Sequence, residues 1–539
     1  MELSLILDPN AHETLQGQVF EQVRRMILNG QLRPGMMLPA SRQLAERIRV
    51  SRNTVTLAYE RLVAEGYIEA HGTAGTFISL VLPDDLLHAG VGLSGDPRSS
   101  ASRPNKPVLP SPLLCFAGYP VGAFKSSKTR PVFDFWVGRS EPSSFPIEMW
   151  RRIVARKLST TGFHLTEYGD PAGLEELRVA IVDHLGRSRG MSVTMDQVII
   201  TNGSQDGLNL ICQLFDRQKH PFYIENPCYK GAVDLFQNIG AELCPIPVDE
   251  NGLIAEKLPR GRAGILFVTP SHQYPTGATL SLQRRLHILR WAEETNSFII
   301  EDDYDSDFRY DGPPLTALAG LDRSRRVLYL GTFSKSLGAG LRLGYAVVPK
   351  ELAGAARILK CQMSNGQSWL DQAVLAEFIQ KGHFDRHLRR ARLIYKARRD
   401  CLKSSLEQNF GVADIDGADG GLHVVWRLPP GSPPASVVER AAQAKSIGVY
   451  ALHSGGAHDF DHSSKQDVLV LGYSSLKETE IRRAVNDLRE LLDELRNESC
   501  FDDPRTEQLV SEVPKTRRAV AMALLHKSPE PTFPKWPAA

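Results

Sequence analysis

The sequence predicts a multidomain chain, a small winged helix-turn-helix followed by a large α/β domain on a mostly parallel sheet in three layers. Three observations predict it. At 539 residues the chain is too long for one hydrophobic core. Its first 80 residues hold three short helical patterns and then an alternation broken by glycines. From about residue 129, short apolar runs alternate with helical stretches. The expected boundaries are 12–80 for the small domain, 81–128 for a linker, 129–495 for the large domain and 496–539 for a tail.

Composition narrows the class. With 42% hydrophobic and 23% charged residues the chain is an ordinary globular protein. No apolar run approaches the roughly 18 residues that span a bilayer, and the start Met1-Glu2-Leu3-Ser4 lacks signal-peptide character, so a cytoplasmic protein with no membrane partner is expected. The seven cysteines show no CxxC pair and no metal-ligand spacing, which points to reduced thiols and no metal. A net charge of +2 identifies no partner.

In the small domain, Leu15, Val19, Val23, Ile27 and Leu28 recur at helical spacing, and Gly30 with Pro34-Gly35 ends that helix. A second helix is expected over Arg42–Ile48 with Ser41 as its N-cap, and a third from Ser51-Arg52-Asn53-Thr54 to about Glu65. Two short helices joined by a tight turn let the second enter a major groove. Ser51, Arg52, Asn53 and Thr54 would then face base edges and phosphates of double-stranded DNA. Tyr67 to Ile78 alternates around Gly72 and Gly75 as a hairpin wing should. Residues 1–80 carry eight Arg, no Lys and eight acidic residues, so any basic face is local. Residues 42–61 hold five Arg against two Glu, a modest excess. On pattern alone, a three-helix interaction module with solvated arginines remains the alternative.

Several runs decide between them. Gly30-Gln31-Leu32-Arg33-Pro34-Gly35, Leu38-Pro39-Ala40-Ser41-Arg42, Val50-Ser51-Arg52-Asn53-Thr54-Val55 and Gly72-Thr73-Ala74-Gly75-Thr76-Phe77 resemble the GntR-type winged helix. The resemblance implies DNA contacts from Arg42, Ser51, Arg52, Asn53, Thr54 and the wing at His71 and Gly72.

The large domain carries a readable chemical order. Thr201-Asn202-Gly203-Ser204-Gln205-Asp206 follows the strand Val198–Ile200 and opens a helix, whose N-terminus can cradle a phosphate. Alone, that pattern is common. Ile299-Ile300-Glu301-Asp302-Asp303-Tyr304 puts acids at the carboxyl end of an apolar strand, where ligands of open α/β sheets bind. A buried carboxylate there needs a cation, and the protonated pyridine nitrogen of pyridoxal 5'-phosphate (PLP) is one. Asp305 and Asp307 read as a surface acidic turn. Lys335 follows the apolar strand Val327–Leu330, and burial there favours the neutral amine that forms Schiff bases. Thr332 and Ser334 supply hydroxyls, and Arg342 a fork for a phosphate. A solvent-exposed lysine is the alternative, and it loses once Thr332, Arg342 and Asp302 are counted together.

These residues resemble the fold-type I PLP enzymes, the aspartate-aminotransferase superfamily, over the large domain, which implies a small C-terminal α+β lobe as well. The resemblance implies that Lys335 forms the internal aldimine, Asp302 pairs with the pyridine nitrogen, Tyr304 bonds the ring hydroxyl and Tyr229 stacks on the ring. Ser204, Gln205, Thr332 and Arg342 would hold the phosphate, and Tyr168 would reach the phosphate of a partner subunit, which implies a homodimer. Winged helix, linker and aminotransferase-like domain in this order resemble the MocR/GabR regulators, as does Ser271-His272-Gln273-Tyr274-Pro275-Thr276-Gly277. The aminotransferases have Asn where Tyr274 stands, and a carboxylate-clamping Arg where Val470 falls. That departure argues for little or no transaminase turnover. The expected function is PLP-dependent transcriptional regulation, with an amine, an amino acid or PLP as effector through an aldimine at Lys335. A catalytically active aminotransferase with an appended DNA-binding module is the alternative.

Overall fold

A computed structural model describes residues 3, 5–8, 13–72, 75–80, 82, 130–216, 219–311, 315–461 and 467–499. The chain divides into two compact units. The expected linker is almost wholly outside the described residues, as is the tail from 500 on with its possible helix at 516–525.

The small unit has helices at Leu15–Leu28, Ser41–Ile48 and Arg52–Ala64, then strands Ile68–Ala70 and Thr76–Ile78. The two strands pair antiparallel with Ile68 opposite Ile78, and Met37–Leu38 adds a third strand beside Thr76–Ile78. Val19, Phe20, Val23 and Ile27 from one helix meet Val55, Ala58 and Leu62 from another in a closed core. That core explains why the four-residue apolar spacing of the first helix is kept. The second helix starts one residue earlier than expected. Ala40, not Ser41, holds the extended cap conformation (φ −58°, ψ 142°), and its carbonyl accepts from the Leu44 N–H at 3.0 Å. Ser41 is therefore a first-turn residue, and no side chain caps this helix.

The large unit is built on an eight-stranded sheet in the order Val198–Thr201, Gly344–Val347, Val327–Thr332, Phe298–Asp303, Ile265–Val268, Phe222–Asn226, Leu243–Asp249, Gly252–Leu253. All strands are parallel except Gly344–Val347 and the edge strand Gly252–Leu253, each antiparallel to its neighbours. Val198 and Ile200 point into one apolar core while Ile199 points into another. Both faces are thus covered, which is why these strands read as unbroken apolar runs. Helices Glu175–Arg189 and Trp369–Gln380 pack on the first face, and Ser204–Cys212 and Lys230–Asn238 on the second. A smaller antiparallel sheet orders Ile415–Asp416, His423–Arg427, Val468–Gly472 and Tyr450–Ala451. The last helix runs Glu478–Ser499, past the boundary drawn at 495, because Ile481, Val485, Leu488 and Leu492 extend one buried stripe to the half-buried Leu495. No helix among the described residues is long and apolar enough to cross a membrane.

Candidate functional site

The strand Val327–Thr332 ends in the turn Ser334–Gly338, which delivers Lys335 to a cavity of about 230 Å³. The Lys335 ε-amine donates to the Gly138 carbonyl at 3.3 Å. Gly138 takes φ +72°, a conformation that strains any other residue, and a Cβ there would lie 2.4 Å from that nitrogen. Burial lowers the Lys335 pKa, with Asp305 and Asp302 acting in the opposite direction. The amine is thereby brought toward its neutral, nucleophilic form.

Asp302 lines the same cavity from the end of the neighbouring strand. Its Oδ1 is buried with no hydrogen-bond partner among the described residues. Burial first, and Asp303 second, push its pKa up to about 7. An orphaned buried carboxyl is costly, and a protonated ring nitrogen would supply the missing donor. The residues present therefore fit PLP.

The end of the site expected to take the phosphate is built on Gly203. Its φ of +87° turns the chain into helix Ser204–Cys212, whose first N–H groups have no partner within the helix. The Arg342 guanidinium lies against Gly203, where a Cβ would stand 2.9 Å from Nη2, and donates to the Asn202 carbonyl at 2.5 Å. Ser204 lines the cavity. The Thr332 hydroxyl donates to Ser334 Oγ at 3.0 Å and accepts from the Ser334 N–H. Gln205 follows Ser204 in the first turn of that helix. Its side-chain amide is turned to the Gly231 carbonyl at 2.9 Å, leaving its Oε1 buried without a partner among the described residues. Only its backbone is left for an anion at the helix start.

Tyr229 and Tyr304 both line the cavity. Tyr168 does not; it is 87% exposed. Val470 packs with Tyr274, Val425 and Leu452, against Tyr229 and Tyr304. No arginine is among the cavity's described lining residues.

The sequence reading missed several participants. Trp136 and Gly138, from a stretch with no motif, line the cavity, as does His423 from the smaller sheet. Asp305, expected on a surface turn, is 3% exposed. The correction has a clear cause: His272, from a distant loop, sets Nδ1 2.9 Å from Asp305 Oδ2 and supplies the charge that permits burial. Asp307 is partly buried beside His184 rather than free in solvent. His272, Asp305 and His423 each place one possible ligand atom within 4.8 Å of the others, but His272 Nδ1 is already committed to Asp305.

In the small unit, Ser51 caps the third helix by accepting from the Thr54 N–H at 3.0 Å, and the two hydroxyls lie 2.8 Å apart. Arg52 and Asn53 are exposed on the first turn, while Thr54 is half-buried. Arg42 is exposed and pairs with Glu46 at 3.2 Å. At the wing, His71 pairs with Glu69 at 3.3 Å and meets Phe77 edge-on, and Gly72 takes φ +55°. Exposed first-turn donors at a capped N-terminus can engage base edges and phosphates together.

Comparison with known proteins gives two family matches. Residues 138–443 match the aminotransferase class I and II family, and residues 15–78 the gntR family of bacterial regulatory proteins. The probable rhizopine catabolism regulatory protein MocR of Rhizobium meliloti is 34% identical, over 90% of this chain and 95% of that protein. The HTH-type pyridoxine biosynthesis transcriptional regulator PdxR of Corynebacterium glutamicum is 30% identical, over 89% and 96%. Among solved structures, the α-aminoadipate aminotransferase LysN of Thermus thermophilus, complexed with N-(5'-phosphopyridoxyl)-L-leucine, is similar with a TM-score of 0.61 and 27% identity. That match covers 67% of this chain and 92% of LysN.

Proposed function

The chain belongs to the MocR/GabR-type regulators, and we propose that it is a PLP-dependent transcriptional regulator that senses an amine, an amino acid or PLP itself at Lys335. The observation that carries this reading is the unpartnered Asp302 carboxyl in the same cavity as the Lys335 amine. Bound PLP supplies an aldehyde that condenses with amines and a ring that draws electrons.

The chain's own residues would hold it. Lys335 offers a neutral amine, and Asp302 would keep the ring nitrogen protonated. Arg342, the Thr332 hydroxyl and the Ser204 helix start would bind the phosphate, Tyr229 would cover the ring, and Tyr304 would meet its hydroxyl. The exposed Tyr168 suits a reach toward the phosphate of a second copy, which favours a homodimer. Such a dimer, working in the cytoplasm, would set two helices headed by Arg52 and Asn53 on operator half-sites about 34 Å apart. An effector changes that placement only if it binds two arrangements with different affinity.

A working aminotransferase would need a cation for the substrate's α-carboxylate. The apolar surroundings of Val470 and the arginine-free cavity lining favour the regulator. The test is reconstitution with PLP followed by borohydride, with mobility shifts on the gene's own upstream DNA. Borohydride should fix cofactor at residue 335, and effector addition should alter the shift. Sustained turnover between amino donors and keto acceptors, without DNA binding, would overturn the reading.

A further inference from the structure

We propose that His272 is a positioning residue for the cofactor ring: locked between Asp305 and Gly417, it fixes the Tyr304 hydroxyl so that its proton points into the cavity. This rests on PLP being held at Lys335.

The hydrogen bonds set the protons. His272 Nε2 lies 3.3 Å from the Gly417 carbonyl, which can only accept, so this nitrogen carries a hydrogen. Nδ1 lies 2.9 Å from the Asp305 carboxylate, which also accepts, so the second nitrogen carries one too. The ring is then an imidazolium paired with Asp305. Burial alone would hold its pKa down; Asp305, with smaller contributions from Gly417 and Asp419, outweighs burial and raises it. The neighbouring His423 takes the opposite state. Burial and the His272 charge push its pKa well down, its Nε2 meets the Pro275 carbonyl at 3.1 Å, and its Nδ1 has no partner among the described residues. Tyr304, Asp305, Asp419 and His423 face His272, and Arg189 and Arg309 line the small pocket on its other side.

Tyr304 Oη sits 3.3 Å from the same Nδ1. That nitrogen directs its one hydrogen at Asp305 and has no lone pair left, so the phenol cannot donate to it, and no other hydrogen-bond partner stands near the phenol oxygen among the described residues. Its own proton is left for the cavity that Tyr304 lines. The backbone enforces the arrangement. A Cβ on Gly421 would lie 2.2 Å from His272 Cε1 and Nδ1, and one on Gly277 would lie 3.1 Å from Nε2. An imidazole boxed this closely cannot turn.

The proposal predicts a spectroscopic signature. A hydrogen bond donated by Tyr304 draws charge from the cofactor's ring oxygen and weakens the hold of the adjacent Lys335 nitrogen on its proton. Losing that donor raises the pH midpoint of the cofactor's near-visible absorbance. The full-length protein is loaded with PLP as wild type, H272Q, the charge-neutral pair H272Q/D305N, Y304F and H272Q/Y304F. The first two variants should each raise the midpoint by about one unit, with Y304F shifting it at least as far. Adding H272Q to Y304F should move it no further, since the two act through one bond. An unchanged midpoint in H272Q and the double variant, with Y304F shifted, would overturn the proposal, as would full additivity with Y304F. Thermal melting of each variant separates these outcomes from misfolding, which H272Q/D305N avoids by leaving no unpaired charge. A wild-type protein that takes up no PLP is instead the failure of the Lys335 reading.

Discussion

The two units handle polar side chains in opposite ways. In the small unit, Arg42, Arg52 and Asn53 stand in solvent, and no charged side chain is buried among its described residues. In the large unit, Asp302, Asp303, Asp305, His272, His423 and Arg189 are nearly inaccessible, and several carry a buried polar atom with no hydrogen-bond partner among the described residues. A surface that reads a polyanion can leave its donors hydrated until contact, because water satisfies them. A pocket that tunes a small molecule must hold its groups dry and partly unsatisfied, at a cost the ligand later offsets. The small unit should therefore respond to substitution mainly in binding, and the large unit in both ligand uptake and stability.

Lys335→Ala gives the sharpest test, since it should abolish covalent cofactor capture, read by mass after borohydride, while apo DNA binding stays within about threefold. Loss of both would break the division between the units. Asp302→Asn should weaken PLP binding by about 2–5 kcal/mol, at least about thirtyfold in Kd by titration. It should also change the pH response of the apo protein. The Asp302 pKa is raised to about 7, so the folded chain keeps this proton longer than the unfolded one. Its stabilising share is fully present below about pH 4 and lost as the pH rises through about 7. Melting temperature against pH should consequently fall less steeply in Asp302→Asn than in wild type, and PLP should flatten the wild-type curve. Arg52→Ala should cost about 1–3 kcal/mol on operator DNA and relax preference at one base pair, measured across operator variants. The smallest effect is expected from Ser51→Ala, about 1 kcal/mol of local stability through the lost cap, read by hydrogen exchange at the Thr54 amide.

The same contrast explains what the sequence revealed. The helix headed by Ser51 was legible because capping and apolar spacing are local, and the sheet because strands buried on both faces are apolar throughout. Lys335, Asp302 and Arg342 were legible because each stands at the end of an apolar strand or beside its glycines. Ser41 was misplaced by one residue because Ala40 could take the cap conformation unaided. Asp305 was misread because Asp303-Tyr304-Asp305-Ser306-Asp307 is as polar as a solvent turn. Its partner lies 33 positions away, and the glycine box around that partner comes from Gly277, Gly417 and Gly421. Burial of that kind is decided by tertiary packing, which local patterns do not carry. The orientation of the Gln205 side chain was not legible for a related reason, since the Gly231 carbonyl that captures it is brought close only by folding.

The reversed strand Gly344–Val347 has a consequence for assembly. Because it runs against both neighbours, its first residue aligns with the last residues of each, Gly344 opposite Thr201 and Thr332. Ser204 and Arg342, the two proposed anion anchors, stand more than a hundred positions apart and are thereby brought alongside by pairing geometry. A slip of one residue along that ladder would turn alternate side chains to the wrong face and pull the arginine out of line with the helix start. Correct threading of a single short strand thus doubles as the alignment step for the proposed phosphate grip.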